Sequence, residues 1–220
     1  MGGYVYHVLN RGAGRAELFN KHGDYAAFET ILAEAADAVP MRLLAYCLMP
    51  NHWHLVLWPA QDNDLSRYLH WLTLTHTRRW HEHYRLTGTG PLYQGRYKSF
   101  PVQEDDHFFT VCRFVERNAL RAGLVRRAEA WRWSSLWQRA QSQPAAWLSV
   151  WPLERPEDWT ARVNRAETAA ELARLQEAVR RGRPFGDERW CLRSADVLGL
   201  QSSLRPRGRP RKREEPIKGS

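Results

Sequence analysis

The chain has 220 residues, which is enough for one domain with a buried core and a small extension. Its 33 Lys and Arg residues outnumber 24 Asp and Glu residues, and the resulting net charge of +9 predicts an acidic partner, with nucleic acid the commonest kind. No apolar run reaches the roughly 20 residues of a membrane helix, the first residues lack the layout of a secretory signal, and three widely spaced cysteines argue against a disulfide framework.

The first 120 residues alternate between strand and helix patterns. Residues 4–10 are rich in aromatic and β-branched residues and predict a strand, and apolar residues at helical spacing within 24–39 predict a helix. Two apolar runs, 42–48 and 52–58, flank a turn and predict a hairpin, and a helix over 65–83, a strand over 96–102 and a helix over 104–118 follow. This order predicts an α+β, ferredoxin-like split βαβ fold, with an antiparallel sheet and helices on one face.

The composition changes after about residue 151. Residues 159–181 and 187–198 predict helices without any strand pattern, and the residues from 205 onward carry no apolar pattern at all. We therefore divide the chain into a folded domain over residues 1–150, a helical C-terminal extension over 151–204 and a basic tail over 205–220 that we expect to be disordered.

The tail contains six basic residues within positions 205–213 and no acid among them. Its centre, Pro206 to Pro210, resembles an AT-hook, in which Arg207 and Arg209 would lie in a narrow A·T minor groove. A generic basic tail that adds nonspecific affinity is the alternative interpretation, and both predict DNA binding.

A histidine pair is the sharpest local pattern. His52 and His54 are two apart in a predicted strand and therefore project from the same face. Two such imidazoles can hold one divalent cation and leave coordination positions open for substrate oxygens, although ordinary strand histidines explain the spacing equally well. Asn118 on the helix over 104–118 is a candidate third ligand with a neutral oxygen, which Mg²⁺ or Mn²⁺ accepts, and it shares a helix face with Phe114.

Six motifs together carry a resemblance to a known family. They keep the family's order and approximate spacing over residues 4–136: Asn10-Arg11-Gly12, Met49-Pro50-Asn51-His52-Trp53-His54, Tyr93-Gln94-Gly95-Arg96-Tyr97-Lys98-Ser99, Arg113-Phe114-Val115-Glu116-Arg117-Asn118, Arg121-Ala122-Gly123-Leu124-Val125 and Trp131-Arg132-Trp133-Ser134-Ser135. In this respect the chain resembles the REP-associated tyrosine transposases, bacterial relatives of the HUH single-strand transposases.

This resemblance implies an enzyme that cuts and transfers single-stranded DNA carrying a hairpin, the repetitive extragenic palindrome. It implies that His52, His54 and Asn118 bind Mg²⁺ or Mn²⁺, and that a helix tyrosine four residues before Asn118 attacks phosphorus to form a 5′-phosphotyrosine. It also implies a bacterial, cytoplasmic and nucleoid-associated protein that acts as a monomer, without a membrane or a nucleotide cofactor.

The nucleophile position departs from the family pattern, because Phe114 stands four residues before Asn118 and has no hydroxyl. Three explanations stay open: an engineered Tyr-to-Phe change, a naturally inactivated member kept for binding, and replacement by another tyrosine, with Tyr97 or Tyr93 nearest in sequence. We expect Phe114 to occupy the nucleophile position. A non-catalytic module of the same fold that binds hairpin DNA is the competing functional hypothesis, and an RNA-binding ferredoxin-like domain is a weaker one.

Basic and polar residues from several predicted elements are candidates for phosphate contacts. If the predicted fold holds, several of them converge around the histidine pair; the alternative is a solvated basic surface. The candidates are Asn10, Arg11, Arg15, Arg96, Lys98, Arg117 and Arg121.

Overall fold

The computed structural model describes residues 1–143 and 145–205, and it has a four-stranded antiparallel sheet at its centre. The strands are β1 (Val5–Arg11), β2 (Arg42–Met49), β3 (His52–Trp58) and β4 (Lys98–Val102), arranged in the order β2-β3-β1-β4. The predicted α+β class and the antiparallel split βαβ sheet are confirmed. The predicted tail residues Arg207 and Arg209 lie outside the described residues.

Nine helices surround or extend from the sheet within the described part of the chain. They are α1 (His22–Ala38), α2 (Asp64–Tyr84), α3 (Asp106–Glu116), α4 (Asn118–Arg121), α5 (Ser135–Arg139), α6 (Trp159–Asn164), α7 (Ala169–Arg181), α8 (Glu188–Val197) and α9 (Gln201–Leu204). None of the described helices is long and apolar enough to cross a membrane.

The sheet register places two sets of side chains on opposite faces. His54 lies opposite Leu9 on β1 and Cys47 on β2, whereas Trp53, the next residue, lies opposite Asn10 and Leu48. Because successive residues of a strand point to opposite faces, the histidine pair faces one side and Trp53 the other.

Helices cover both faces, which corrects the expectation that they lie on one face only. The Trp53 face packs against the apolar sides of α1 and α2 in one core, which includes Phe28 and Leu72. The opposite face packs against α3 in a second core, which includes Val111 and Val115 and extends to α6 and α7. Residues after the sheet domain therefore complete the second core, so that the helical extension is packed directly on the histidine side.

Two predicted helices are divided in the structure. The helix predicted over 104–118 ends at Glu116, after which the backbone at Arg117 separates α3 from α4. The helix predicted over 159–181 is interrupted between α6 and α7, because Thr168 caps α7: its hydroxyl accepts a hydrogen bond from the Glu171 backbone N–H at 3.2 Å. The polar side chains at both breaks lie next to the candidate active site.

Candidate active site

The histidine pair lies at the turn end of β3, on the face covered by α3. The ring centroids of His52 and His54 are 5.1 Å apart. His54 is buried, whereas His52, next to the turn, is partly exposed. The pair is therefore accessible to solvent on the His52 side.

Asn51 fixes the orientation and tautomer of the His52 ring. Its amide nitrogen donates to the Arg15 carbonyl oxygen at 3.3 Å, which turns its Oδ1 atom towards His52. His52 Nδ1 lies 2.7 Å from that oxygen and donates to it. His52 Nε2 is then left with its lone pair, the form that binds a metal ion.

A third histidine, His7 on β1, holds His54. The His7 Nε2 and His54 Nδ1 atoms are 2.8 Å apart, and their rings stack with centroids 5.0 Å apart. If His54 Nδ1 donates to His7 Nε2, the lone pair of His54 Nε2 is free to bind a cation. If His7 Nε2 donates to His54 Nδ1 instead, the proton of the neutral His54 ring lies on Nε2, and that nitrogen cannot bind a cation. His7 is fully buried, and its Nδ1 has no hydrogen-bond partner among the described residues.

Burial holds these imidazoles in the neutral form. It lowers the pKa of His7 to about 3 and, together with the positive charges of Arg11 and Arg121, lowers the pKa of His52 to about 4. The His54 pKa also lies well below its usual value, mainly because the ring is buried. Near neutral pH the two rings thus present unprotonated nitrogens, which a cation requires.

Phe114 projects from α3 onto the same histidines. Its ring centroid lies 5.8 Å from that of His54 and 6.1 Å from that of His7, edge to face in both cases. The Arg121 guanidinium lies over the ring, with its Cζ atom 4.1 Å from the centroid. The structure therefore brings the residue at the predicted nucleophile position to the histidine pair.

Asn118 begins α4, which packs against β2 beside the histidine strand. Its side chain is buried, and Cys47, the register partner of His54, lies against the backbone of the adjacent Ala119. Among the described residues no cluster of three or more His, Cys, Asp or Glu could hold a metal ion. A set of two imidazoles and one amide oxygen does not fall under that description, and binding of Mg²⁺ or Mn²⁺ by His52, His54 and Asn118 stays a prediction.

The predicted basic residues separate into those on the histidine face and those elsewhere. Arg11 lies opposite His52 in the register, and Lys98 lies opposite Leu9, which neighbours His54. Arg11 and Lys98 are both exposed and lie on the same face of the sheet as the histidine pair.

Three further candidates occupy other positions. Arg15 is exposed at the end of a short 3-10 helix (Ala13–Arg15), and Arg96 is exposed in the segment before β4. Asn10 lies on the opposite face, buried, where its amide donates to the Gly95 carbonyl oxygen at 3.4 Å. Their contact with DNA stays a prediction.

Arg117 and Arg121 converge on one buried carboxylate, that of Glu167 in the segment between α6 and α7. Arg117 Nε lies 3.1 Å from one carboxylate oxygen and Arg121 Nη1 2.9 Å from the other. Sequence reasoning missed Glu167 as well as His7. The Thr168-Ala-Ala-Glu171 capping pattern does predict a helix start beside Glu167, and strand alternation places His7 on one face with Val5, but neither pattern indicates a partner far away in the chain.

The two alternative tyrosines lie on the other side of the sheet. Tyr93 is buried in the core of α1 and α2, where its hydroxyl oxygen lies 2.6 Å from His76 Nδ1 and accepts from Trp53 Nε1 at 3.1 Å. Tyr97 packs against the same core. Neither position is on the face of His52 and His54.

Comparison with protein families matches residues 2–118 to the family described as transposase IS200 like. This range contains both strands of the hairpin, the histidine pair, Phe114 and Asn118. No sequence among the curated proteins matches the chain.

Solved structures with the same fold include a REP-associated tyrosine transposase bound to a REP hairpin. It is 13% identical in sequence, the match covers 71% of this chain and 91% of that one, and the TM-score is 0.54. A protein of Deinococcus radiodurans R1 named as a candidate transposase is 20% identical over 56% of this chain and 90% of its own, with a TM-score of 0.40.

Proposed function

The chain belongs to the IS200-like transposase family, and on this premise we propose that it is built for metal-dependent cutting and joining of single-stranded DNA beside a hairpin. We further propose that this chain does not cleave, because Phe114 occupies the position of the nucleophilic tyrosine. The observation that carries the proposal is the edge-to-face approach of the Phe114 ring to His54, at a centroid distance of 5.8 Å.

His52, His54 and Asn118 would hold Mg²⁺ or Mn²⁺. The hydrogen bond from His52 Nδ1 to Asn51 and the contact between His54 Nδ1 and His7 support this assignment, because both engage Nδ1 atoms and would leave the Nε2 atoms for the cation. When bound, the cation would polarise the scissile phosphate and orient it.

Besides the cation, the reaction requires a nucleophile at position 114. In a version with tyrosine at position 114, the phenol oxygen forms a bond to phosphorus and loses its proton, and the bond from phosphorus to the 3′ oxygen breaks. The products are a 5′-phosphotyrosine and a DNA strand that ends in a 3′-hydroxyl group, which takes up a proton. Phenylalanine cannot take part in this exchange, because it has no oxygen to form the new bond.

A non-catalytic module that binds hairpin DNA is the second candidate function. Phe114 itself favours it, because the ring fills its place in the core, 6% exposed, without the reacting oxygen. Phenylalanine at this position is either natural, as in an inactivated member kept for binding, or introduced in place of tyrosine. The codon in the source gene decides between these two explanations.

Single-stranded DNA with a hairpin is the partner that we propose for both functions. Arg11 and Lys98, exposed on the histidine face, would contact phosphates beside the site, and the basic tail would add affinity. In this proposal the chain acts as a monomer and associates with the bacterial nucleoid through this DNA.

The experiment compares the unchanged chain with Phe114→Tyr on hairpin oligonucleotides taken from palindromes beside its gene, with Mn²⁺ or Mg²⁺. We expect only Phe114→Tyr to cut the strand and to form a covalent adduct that survives a denaturing gel. Phe109→Tyr is the matched control, since it adds the same oxygen to α3 at a half-buried ring that packs against Trp151 and Trp159 instead of the histidines.

The other outcomes separate the alternatives. Cleavage by the unchanged chain would mean that a different residue carries out the chemistry and that the site assignment is wrong. Tight hairpin binding by all three proteins without any cleavage would favour the binding module.

A further inference from the structure

Glu167 joins Arg117 and Arg121, which lie at the two ends of α4, to the helical extension. Its side chain is only 4% exposed, and each carboxylate oxygen accepts a hydrogen bond from a different guanidinium, Arg117 or Arg121. We call these three residues the Glu167 clamp. A carboxylate buried to this degree is stable only when it is paired with cations. Loss of the Glu167 carboxylate would in turn leave two partly buried guanidinium groups without a negatively charged partner.

Arg117 anchors the clamp to the backbone of the extension. Its Nη1 atom donates to the Val163 carbonyl oxygen at 3.2 Å and to the Asn164 carbonyl oxygen at 2.7 Å, both at the end of α6. Because these acceptors and Glu167 all come from the extension, the position of the clamp depends on that part of the chain.

Arg121 faces the other way, into the candidate active site. Both of its terminal nitrogens lie 3.3 Å from the Phe114 carbonyl oxygen, and its guanidinium lies 4.1 Å from the centre of the Phe114 ring. A planar guanidinium over a ring combines packing with a favourable electrostatic contact. The arginine therefore holds both the backbone and the ring at position 114.

We propose that Arg121 is a positioning residue for the ring at position 114 and that Glu167 of the helical extension holds Arg121 in place. The extension thereby completes the active site, although it lies beyond the family-matched residues 2–118. The consequence for DNA cleavage rests on the proposed function, whereas the consequence for the ring does not.

Arg113 and Glu171 provide a matched control. They form a second ion pair between α3 and the start of α7, with Arg113 Nη2 2.9 Å from Glu171 Oε1. This pair likewise joins the domain to the extension, but its arginine does not lie over the Phe114 ring. If Glu167 only attached the extension to the domain, Glu167→Gln and Glu171→Gln should therefore have the same effect.

The first measurement observes the ring in the full chain without any DNA. We would place 4-fluorophenylalanine at position 114 and record its fluorine resonance in the parent, Glu167→Gln, Arg121→Lys and Glu171→Gln. We expect the first two substitutions to shift or broaden the resonance, because the guanidinium leaves the ring, and Glu171→Gln to leave it unchanged. Arg121→Lys keeps the charge beside Glu167 and serves if Glu167→Gln does not fold.

The second measurement uses the Phe114→Tyr background and separates cleavage from binding. At saturating hairpin DNA, we expect Glu167→Gln and Arg121→Lys each to lower the single-turnover cleavage rate, by roughly 10²-fold for a misplaced reacting group. Glu171→Gln should cleave at the rate of the Phe114→Tyr parent.

Three outcomes decide the matter. Unchanged fluorine resonances in both Glu167→Gln and Arg121→Lys would overturn the proposal, and so would a cleavage rate equal to that of Glu171→Gln. Failure of Phe114→Tyr to cleave at all would overturn the proposed function instead, and the fluorine measurement would still test the clamp.

Discussion

At the scale of single residues, His54 is hydrogen-bonded to His7, and the Phe114 ring packs edge to face against both imidazoles. The spacing of His52 and His54 predicts their common face, because strand side chains alternate with period two. His7 escapes this reasoning, since its contact with His54 depends on the pairing register of β1 with β3, which no local pattern specifies.

The first prediction concerns His7 and metal affinity. We expect His7→Leu to weaken Mn²⁺ binding by about 10- to 100-fold, because the hydrogen bond that orients His54 is lost. His7→Gln, whose amide oxygen can still accept from His54 Nδ1, should weaken it less. Titration calorimetry checks both, and an affinity of His7→Leu equal to that of the parent would contradict the role of His7.

The second prediction concerns acid stability without metal. Burial lowers the pKa of His7 and His76 to about 3 and that of His52 to about 4, whereas an unfolded chain titrates near 6.5. Below about pH 6.5 the unfolded state binds more protons than the folded state, so stability present above this pH is lost as the pH falls towards 4. Each ring contributes up to about 1.4 kcal/mol per pH unit in that window.

Urea unfolding between pH 7.5 and 5 checks this dependence. His76→Gln should flatten it, since one of the contributing rings is absent. A free energy of unfolding that stays constant down to pH 5 would contradict the buried, neutral state of these histidines.

At the scale of elements, the strands are better predicted than the helix ends. The apolar runs of β2 and β3 give the hairpin within one residue, because burial on both faces requires nearly continuous apolar sequence. The helix boundaries beside the site depend on local features that periodicity does not report. One is the backbone break at Arg117 and another is the cap at Thr168.

Burial and hydrogen bonding of Glu116 give the third prediction. This fully buried carboxylate of α3 accepts from the Ser135 hydroxyl of α5 at 2.5 Å and from Trp159 Nε1 of α6 at 2.7 Å. Glu116→Ala leaves Trp159 Nε1 without its acceptor and leaves the Ser135 hydroxyl only the longer bond to the Tyr46 carbonyl oxygen at 3.3 Å, and we expect it to lower the free energy of unfolding by about 2 kcal/mol or more.

Glu116→Gln keeps an acceptor oxygen for one of the two donors and should cost less than Glu116→Ala. Denaturant unfolding at neutral pH checks the order of the three proteins. Equal stability of the two variants would contradict a joining role for this carboxylate.

At the scale of the whole molecule, the excess of positive charge agrees with a nucleic-acid partner, and the family match agrees with a DNA-processing protein. Composition could not predict that the extension packs on the histidine side, because that contact joins residues some fifty positions apart. The Arg117–Glu167 pair is the clearest instance.

The fourth prediction concerns the basic tail. Deleting residues 205–220 should weaken hairpin binding and reduce its dependence on salt, since fewer counterions are released from the DNA. Arg207→Ala with Arg209→Ala should abolish any preference for A·T-rich duplex if the tail is an AT-hook. Lys212→Ala with Arg213→Ala removes the same charge and serves as the control.

The two double variants separate the interpretations of the tail. Fluorescence anisotropy over a series of salt concentrations measures the affinities. Equal losses in both double variants would favour a generic basic tail, and an unchanged salt dependence after deletion would contradict DNA binding by the tail.

The central claim is that position 114 carries the nucleophile in the active form of this fold, and locating the covalent bond tests it most directly. Phe114→Tyr would be incubated with hairpin DNA and Mn²⁺, digested with protease and nuclease, and mapped by mass spectrometry. We predict a 5′-phosphorylated nucleotide on the peptide that contains residue 114, and none on the unchanged chain. An adduct on Tyr93, Tyr97 or any other residue would contradict the claim, as would the absence of an adduct when hairpin and metal are both bound.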